Sequence, residues 1–394
     1  MTTQTPAAEA GLAEIAGVSE ERRTSPVELL WDLVFVFAIT QVTALLFHDL
    51  SWAGFGRSML VLALVWWAWS AFVWAANAQD TGSQVLRLSL IGGMALIFIA
   101  GLSLPQAFSG EATLFAVTYA GVRFLHLALY ADASRRGNAS WTAIAGFALT
   151  VAIGMALLIG GSFLDGTARV TLWALAAAID YAGPAWLTRE RLRGLQRVAV
   201  AHFAERYSLF IIICLGESIV AIGVGASGRS LGAELIAAVA FGLLLTVALW
   251  WTYFDSFAAT AEERLRVHED PVLAAADAYS YLHLVLVAGI IIFAVGVKLA
   301  IEDVGDPLSD AGRLALCGGV ALYLAGHVAF AWRMGGGINY TRLVVAALLL
   351  VLFAVGAGLA AWGVAGAMTA VMVALCAFEA VRDRRGLAVS AIGE

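Results

Sequence analysis

Ionisable and hydroxylated side chains buried in long apolar runs are the residues of this sequence with chemistry to offer. A charge in hydrocarbon costs several kcal/mol unless it is paired or hydrated. Glu28 and Asp32 stand four residues apart, so on a helix both acids share one face. Thr40 lies within about 80° of Asp32 on the same helix and about 12 Å deeper. That face has the makings of a hydrated path; the competing assignment for Glu28 is an acid at a helix start, at headgroup level. Glu217 is the sharpest case, near the middle of an apolar run and flanked by Gly216, Gly223 and Gly225. Those glycines permit close helix approach or a local break. A carboxylate at that depth must be protonated, paired or in water. Arg206, Arg123 and His126 are the partners on offer, so Glu217 reads either as a proton- or cation-binding site or as half of a buried ion pair.

Arg123 and His126 are spaced i,i+3 and face one side together. Asp180, Asp255, Asp277 and Glu379 fall nearer the ends of their apolar runs, where a solvated or interfacial carboxylate is expected. Asp255 is kept as a candidate along a path, with Glu205 and Arg206. Most of the 13 tryptophans read as interface anchors. The pairs Trp66-Trp67 and Trp250-Trp251 are a candidate aromatic wall for a cation. Cys214, Cys317 and Cys376 lie in apolar runs without CxxC spacing, which suggests neither a metal site nor disulfides. No HExxH, Walker A or GxSxG motif occurs, and no cofactor is expected.

The elements that position these groups follow from composition. Apolar residues make up 61% of the 394-residue chain and charged residues 13%, about half the charged share of soluble domains. A net charge of −6 provides no basic patch for nucleic acid. The fold class is therefore all-α, a polytopic membrane protein. Twelve stretches reach the roughly 20 apolar residues that a span requires: 27–48, 55–77, 85–107, 111–131, 141–163, 168–187, 203–226, 232–256, 274–300, 312–332, 340–360 and 363–381. The first 26 residues are polar and carry acids, so no cleavable signal peptide is expected there. With the N-terminus inside, cytoplasmic segments hold sixteen of the 23 Lys and Arg residues and outer loops five, with Arg123 and Arg206 in the membrane region. The expected placement is the inner (plasma) membrane, with both termini cytoplasmic.

The basic stretch Arg189 to Arg197 divides the chain into two halves. The expected organisation is a tail over 1–26, a six-helix repeat over 27–188, a linker over 189–201, a second repeat over 202–382 and a tail over 383–394. Setting Glu28 on Glu205 aligns Thr40-Gln41 with Glu217-Ser218 without a gap. Spans four and ten also each carry a histidine, His126 and His327. Repeats of six spans enter the membrane in the same direction, giving a pseudo-twofold axis along its normal.

The run Val27-Glu28-Leu29-Leu30-Trp31-Asp32-Leu33-Val34-Phe35-Val36-Phe37-Ala38-Ile39-Thr40-Gln41 resembles the opening span of the bacterial low temperature requirement A family. His202-Phe203-Ala204-Glu205-Arg206-Tyr207, Leu215-Gly216-Glu217-Ser218-Ile219-Val220-Ala221-Ile222 and Trp66-Trp67-Ala68-Trp69 resemble that family as well. Trp31 stands where the family usually has phenylalanine. The resemblance implies a multipass membrane protein linked by name to growth in the cold, without implying a substrate. Asp32 to Thr40 is also similar to the first-span motif of the lysosomal and bacterial potassium channels built on Phe-Ser-Asp, with Trp31 in place of the serine and Leu209 at the aspartate position of the second half. That likeness implies a pore lined by spans one and seven, with Ile39 at a constriction.

The leading reading is thus a transporter or channel for a small solute or ion, its path between the halves with Asp32 and Glu217 along it. The alternatives are an intramembrane lipid-modifying enzyme using Glu217, His126 and His327, and a non-catalytic scaffold. The expected partners are the lipid bilayer and a small solute or ion, with self-association into a homo-oligomer left open.

Overall fold

The computed structural model describes residues 24–77, 83–136, 141–184 and 198–392. The chain is built from helices: α1 (Pro26–His48), α2 (Trp52–Asn77), α3 (Gln84–Ser103), α4 (Ala112–Arg135), α5 (Trp141–Ser162), α6 (Gly166–Ala182) and α7 (Val200–Ala226). They continue as α8 (Ala233–Phe254), α9 (Phe257–Arg266), α10 (Pro271–Glu302), α11 (Asp310–Arg333), α12 (Tyr340–Val355) and α13 (Ala361–Ile392). Among the described residues there is no strand, only an isolated bridge between Pro307 and Ala360. Hydrocarbon leaves the backbone no partner but itself, which selects helices.

Eleven helices among the described residues are long and apolar enough to cross a membrane. The remaining expected span, 168–187, corresponds to α6, which has 17 residues. The linker expected at 189–201 lies largely outside the described residues, as does most of the tail at 1–26. Helix α13 runs on to Ile392, past the point where the C-terminal tail was expected to begin. Large apolar side chains face outward on many helices, among them Leu88 (69% exposed), Leu149 (62%) and Val247 (53%). An exterior of this kind belongs in lipid.

The helices form two compact units. The first comprises Met1–Ala38, Leu64–Phe210 and Ala261–Ser280. In it α3 packs on α4, α4 on α5 and α5 on α6. The second comprises Ile39–Ala63, Ile211–Thr260 and Tyr281–Glu394, where α10 packs on α11, α11 on α12 and α8 on α13.

Polar side chains tie the ends of these helices. Ser83, Asp270, Ser309 and Asn339 accept a hydrogen bond from a backbone N–H of the first turn that follows, the usual N-cap. Two arginines repeat one device. In the first unit, Arg169 donates to the carbonyls of Leu164 and Ser109 and pairs with Asp165 at 2.9 Å. In the second, Arg313 donates to the carbonyls of Phe353 and Leu308 and pairs with Asp310 at 2.7 Å. Each guanidinium satisfies carbonyls that the helix ladders leave open.

Residues Ala275–Leu282 within α10 are π-helical. Their Ser280 accepts hydrogen bonds in the first unit from Trp66 Nε1 at its carbonyl (2.7 Å) and from Trp74 Nε1 at its hydroxyl (2.8 Å). The stretch from His283 onward belongs to the second unit and meets α11 almost backbone to backbone. A Cβ on Gly289 would lie 2.7 Å from the Tyr323 nitrogen, and one on Gly319 2.9 Å from the Phe293 Cα. Small residues at such crossings allow the close approach on which dispersion-driven packing in membranes depends. Gly289→Leu is therefore expected to force α10 and α11 apart and destabilise the protein by about 1–3 kcal/mol or more. Thermal unfolding in detergent, with Gly363→Leu as control because Gly363 has open space around it, measures the difference.

Candidate functional site

Within the first unit, α1 and α7 meet through a buried charge cluster. Arg206 on α7 lies 2.6 Å from Asp32 Oδ1 and 3.1 Å from Glu28 Oε1, so one guanidinium serves both acids of the α1 face. His202, one turn before Arg206, places Nε2 3.3 Å from Glu28. Glu28, Asp32, His202 and Arg206 are each at most 1% exposed. Ser25, just ahead of α1, helps: it donates to Glu28 Oε2 from its N–H and its hydroxyl, at 2.8 and 2.7 Å. Trp69 on α2 donates its indole N–H to Asp32 Oδ1 at 2.8 Å. Glu205 instead faces outward and accepts from the Thr24 amide and hydroxyl.

The charge count of this cluster is uneven. Among the described residues two carboxylates face one guanidinium, a set that becomes neutral when one further proton is held there. Asp32 Oδ2, His202 Nδ1 and Arg206 Nε are buried without a hydrogen-bond partner among the described residues. Buried polar atoms in that condition are places where an ordered water fits.

The surroundings hold this geometry. Trp31 is fully buried against Phe72, with ring centroids 4.3 Å apart, and occupies space that a side chain at position 93 would take. Trp66 and Trp69 pack on Tyr207 and Phe210. The Tyr207 hydroxyl lies between the hydroxyls of Ser70 (2.7 Å) and Ser280 (3.1 Å).

The second unit contains a further buried polar contact. Thr40 donates its hydroxyl to Glu217 Oε2 at 2.7 Å, and Glu217 is 5% exposed. The arginines and histidine that the sequence offered to Glu217 are engaged elsewhere. Arg206 is held by Glu28 and Asp32. Arg123 forms a bidentate pair with Asp180 at 2.9 and 2.7 Å, with the His126 ring 3.4 Å from its guanidinium.

Asp180 and Glu379 correct an expectation. Neither is solvated: Asp180 is 1% exposed, and Glu379 is 7% exposed and clamped by Arg342 at 2.9 and 3.0 Å. In each case an arginine on another helix supplies the counter-charge at the same level, which hydropathy along one helix does not reveal.

The other sequence candidates scatter. Asp255 closes α8 and is exposed. Trp66 and Trp67 are buried, Trp67 stacked on Tyr181 at 4.1 Å. Trp250 and Trp251 are 43% and 40% exposed, so the two pairs have different surroundings. His327 is buried and bonded through Nδ1 to the Tyr323 carbonyl. His202 was not among the candidates. The signal for His202 was present, since it stands four residues before Arg206 as Glu28 stands before Asp32.

Helices of this length and outward apolarity, with paired charges sealed inside, define a multi-pass α-helical membrane protein. The sequence profile described as Bacterial low temperature requirement A protein (LtrA) matches residues 23–377. The chain belongs to that family. It is also similar to the uncharacterized protein RA0937 of Rhizobium meliloti (strain 1021), with 31% identity over 314 residues covering 78% of this chain and 77% of that protein. No solved structure matches.

Removing Arg206 tests the cluster. Arg206→Met leaves two buried acids without their counter-charge and is expected to destabilise the protein by about 3–5 kcal/mol. Adding Glu28→Gln and Asp32→Asn to that variant removes the stranded charges and should recover most of the loss. Chemical unfolding of the purified proteins in one detergent measures both steps, and an absence of recovery would show that the pairing is not what the cluster contributes.

Proposed function

We propose that this protein is a channel or carrier for a small solute or ion, with a path along α1 and α7. The observation that carries the reading is the Thr40–Glu217 hydrogen bond. These residues are 177 positions apart, the same offset that sets Glu28 on Glu205. In two six-helix repeats related by a pseudo-twofold axis, equivalent residues can touch only beside the axis, where such proteins place their substrate sites.

A buried carboxylate held by two neutral hydroxyls, those of Thr40 and Thr43, suits a site that binds and releases a cation or a proton. The Glu28–Asp32–His202–Arg206 cluster is the second polar station along the same two helices, and its uneven charge count suits proton exchange. Residues 27–188 and 202–382 would be the two repeats, set in the plasma membrane with both termini cytoplasmic, in line with the Lys and Arg distribution.

Ion flux in proteoliposomes tests this function. Potassium-, sodium- or proton-loaded vesicles containing the wild type should dissipate their gradients. Glu217→Gln and Asp32→Asn should slow the flux about tenfold or more, a barrier rise of about 1.4 kcal/mol. Variants that elute like the wild type yet conduct unchanged would remove both acids from the path. Wild-type vesicles that hold every gradient would set aside ion conduction.

A further inference from the structure

A crevice in the second unit is lined by none of these polar residues. It has a cavity volume of about 530 Å³ and opens at the start of α11. Its floor is a stripe of small side chains, Ala311, Ala315 and Gly318, at the three- and four-residue spacing of one helix face. Larger apolar groups wall it: Leu46, Phe55, Ile292, Leu322 and Phe353. The lining contains no histidine, and Asp310 is its one ionisable residue.

Three features identify what would fill it. The first is depth. Trp52 and Asp310 are the first residues of α2 and α11, and Leu50 lies just past the end of α1, so the mouth sits at helix ends, where a bilayer has its headgroups. Gly318 and Leu322 lie eight and twelve residues into α11, about 12 and 18 Å farther along at 1.5 Å per residue. The second is shape. The space is too small for another helix, which is about 10–12 Å across with its side chains. The third is charge. The Asp310 side chain is 89% exposed and pairs through Oδ1 at 2.7 Å with the Arg313 guanidinium beneath it, which is 6% exposed and also tied to two carbonyls, so Oδ2 faces the mouth. The mouth therefore presents a carboxylate outward. Trp52, 77% exposed, stands beside it as an interfacial aromatic.

We propose that this crevice binds one phospholipid, with an acyl chain along the Ala311–Ala315–Gly318 stripe and an ammonium-bearing headgroup against Asp310. The site is independent of the conducting path and stands whether or not the protein carries an ion.

The test uses the full chain purified in detergent, exposed to equal amounts of phosphatidylethanolamine and phosphatidylglycerol and weighed by native mass spectrometry. The wild type should retain the ethanolamine lipid over the glycerol lipid by about fivefold, a preference of about 1 kcal/mol. Gly318→Trp fills the groove and should abolish retention; Leu314→Trp narrows it from the same helix and serves if the first variant does not fold. Asp310→Asn leaves the Arg313 carbonyl bonds in place and should bring the two lipids to equal retention or favour the glycerol lipid. A photoactivatable phosphatidylethanolamine should label residues 311–322. Equal retention of both lipids by wild type and variants, or label spread evenly over the lipid-facing helices, would overturn the site. Crosslinks joining two copies through Trp52 would overturn it in favour of a protein partner.

Discussion

One guanidinium shared by two buried carboxylates is the constraint on which the first unit depends. Glu28 and Asp32 are on one face of α1 and have almost no exposure to water, so their charge is tolerable only with a cation at hand. Arg206 supplies it at 2.6 and 3.1 Å and thereby fixes the rotation of α7 against α1. The neighbours follow from that choice. Trp69 must present its indole N–H to Asp32, Tyr207 then lies against Trp69, and its hydroxyl finds Ser70 and Ser280. Charge sets the geometry and aromatic packing excludes water from it, a division of labour suited to a setting where burial alone gives helices little reason to associate.

Much of this was legible from spacing. Glu28 with Asp32, and His202 with Arg206, each stand one helical turn apart, and either pair implies a shared face. What was not legible is that the two faces meet across 174 residues, because apolar text of this kind matches many partners equally well. The same gap explains Asp180 and Glu379. Their positions near the ends of apolar runs were read correctly, but the arginines opposite them belong to other helices. Trp66-Trp67 and Trp250-Trp251 make the point in reverse: identical dipeptides, one pair packed inside and one pair turned outward, with local composition unable to tell which.

For the fold, run length was a reliable guide because hydrocarbon thickness leaves few alternatives. It was less reliable where a helix is short, as in α6, or continues into polar sequence, as at the end of α13. It was silent on Ala275–Leu282, whose alanines and tyrosines suit an ordinary helix as well as a π-helical one.

That π-helical stretch has a bearing on descent. A turn of this type holds one residue more than the helix around it needs, so it is the form an α-helix takes after gaining a single residue without unravelling. Among relatives, a one-position gap falling within 275–282 would therefore mark the insertion itself, with Ser280 reaching its indole partners only in lineages that kept the extra residue. A lineage without it would carry a plain α-helix there, turned by about 100° per residue lost.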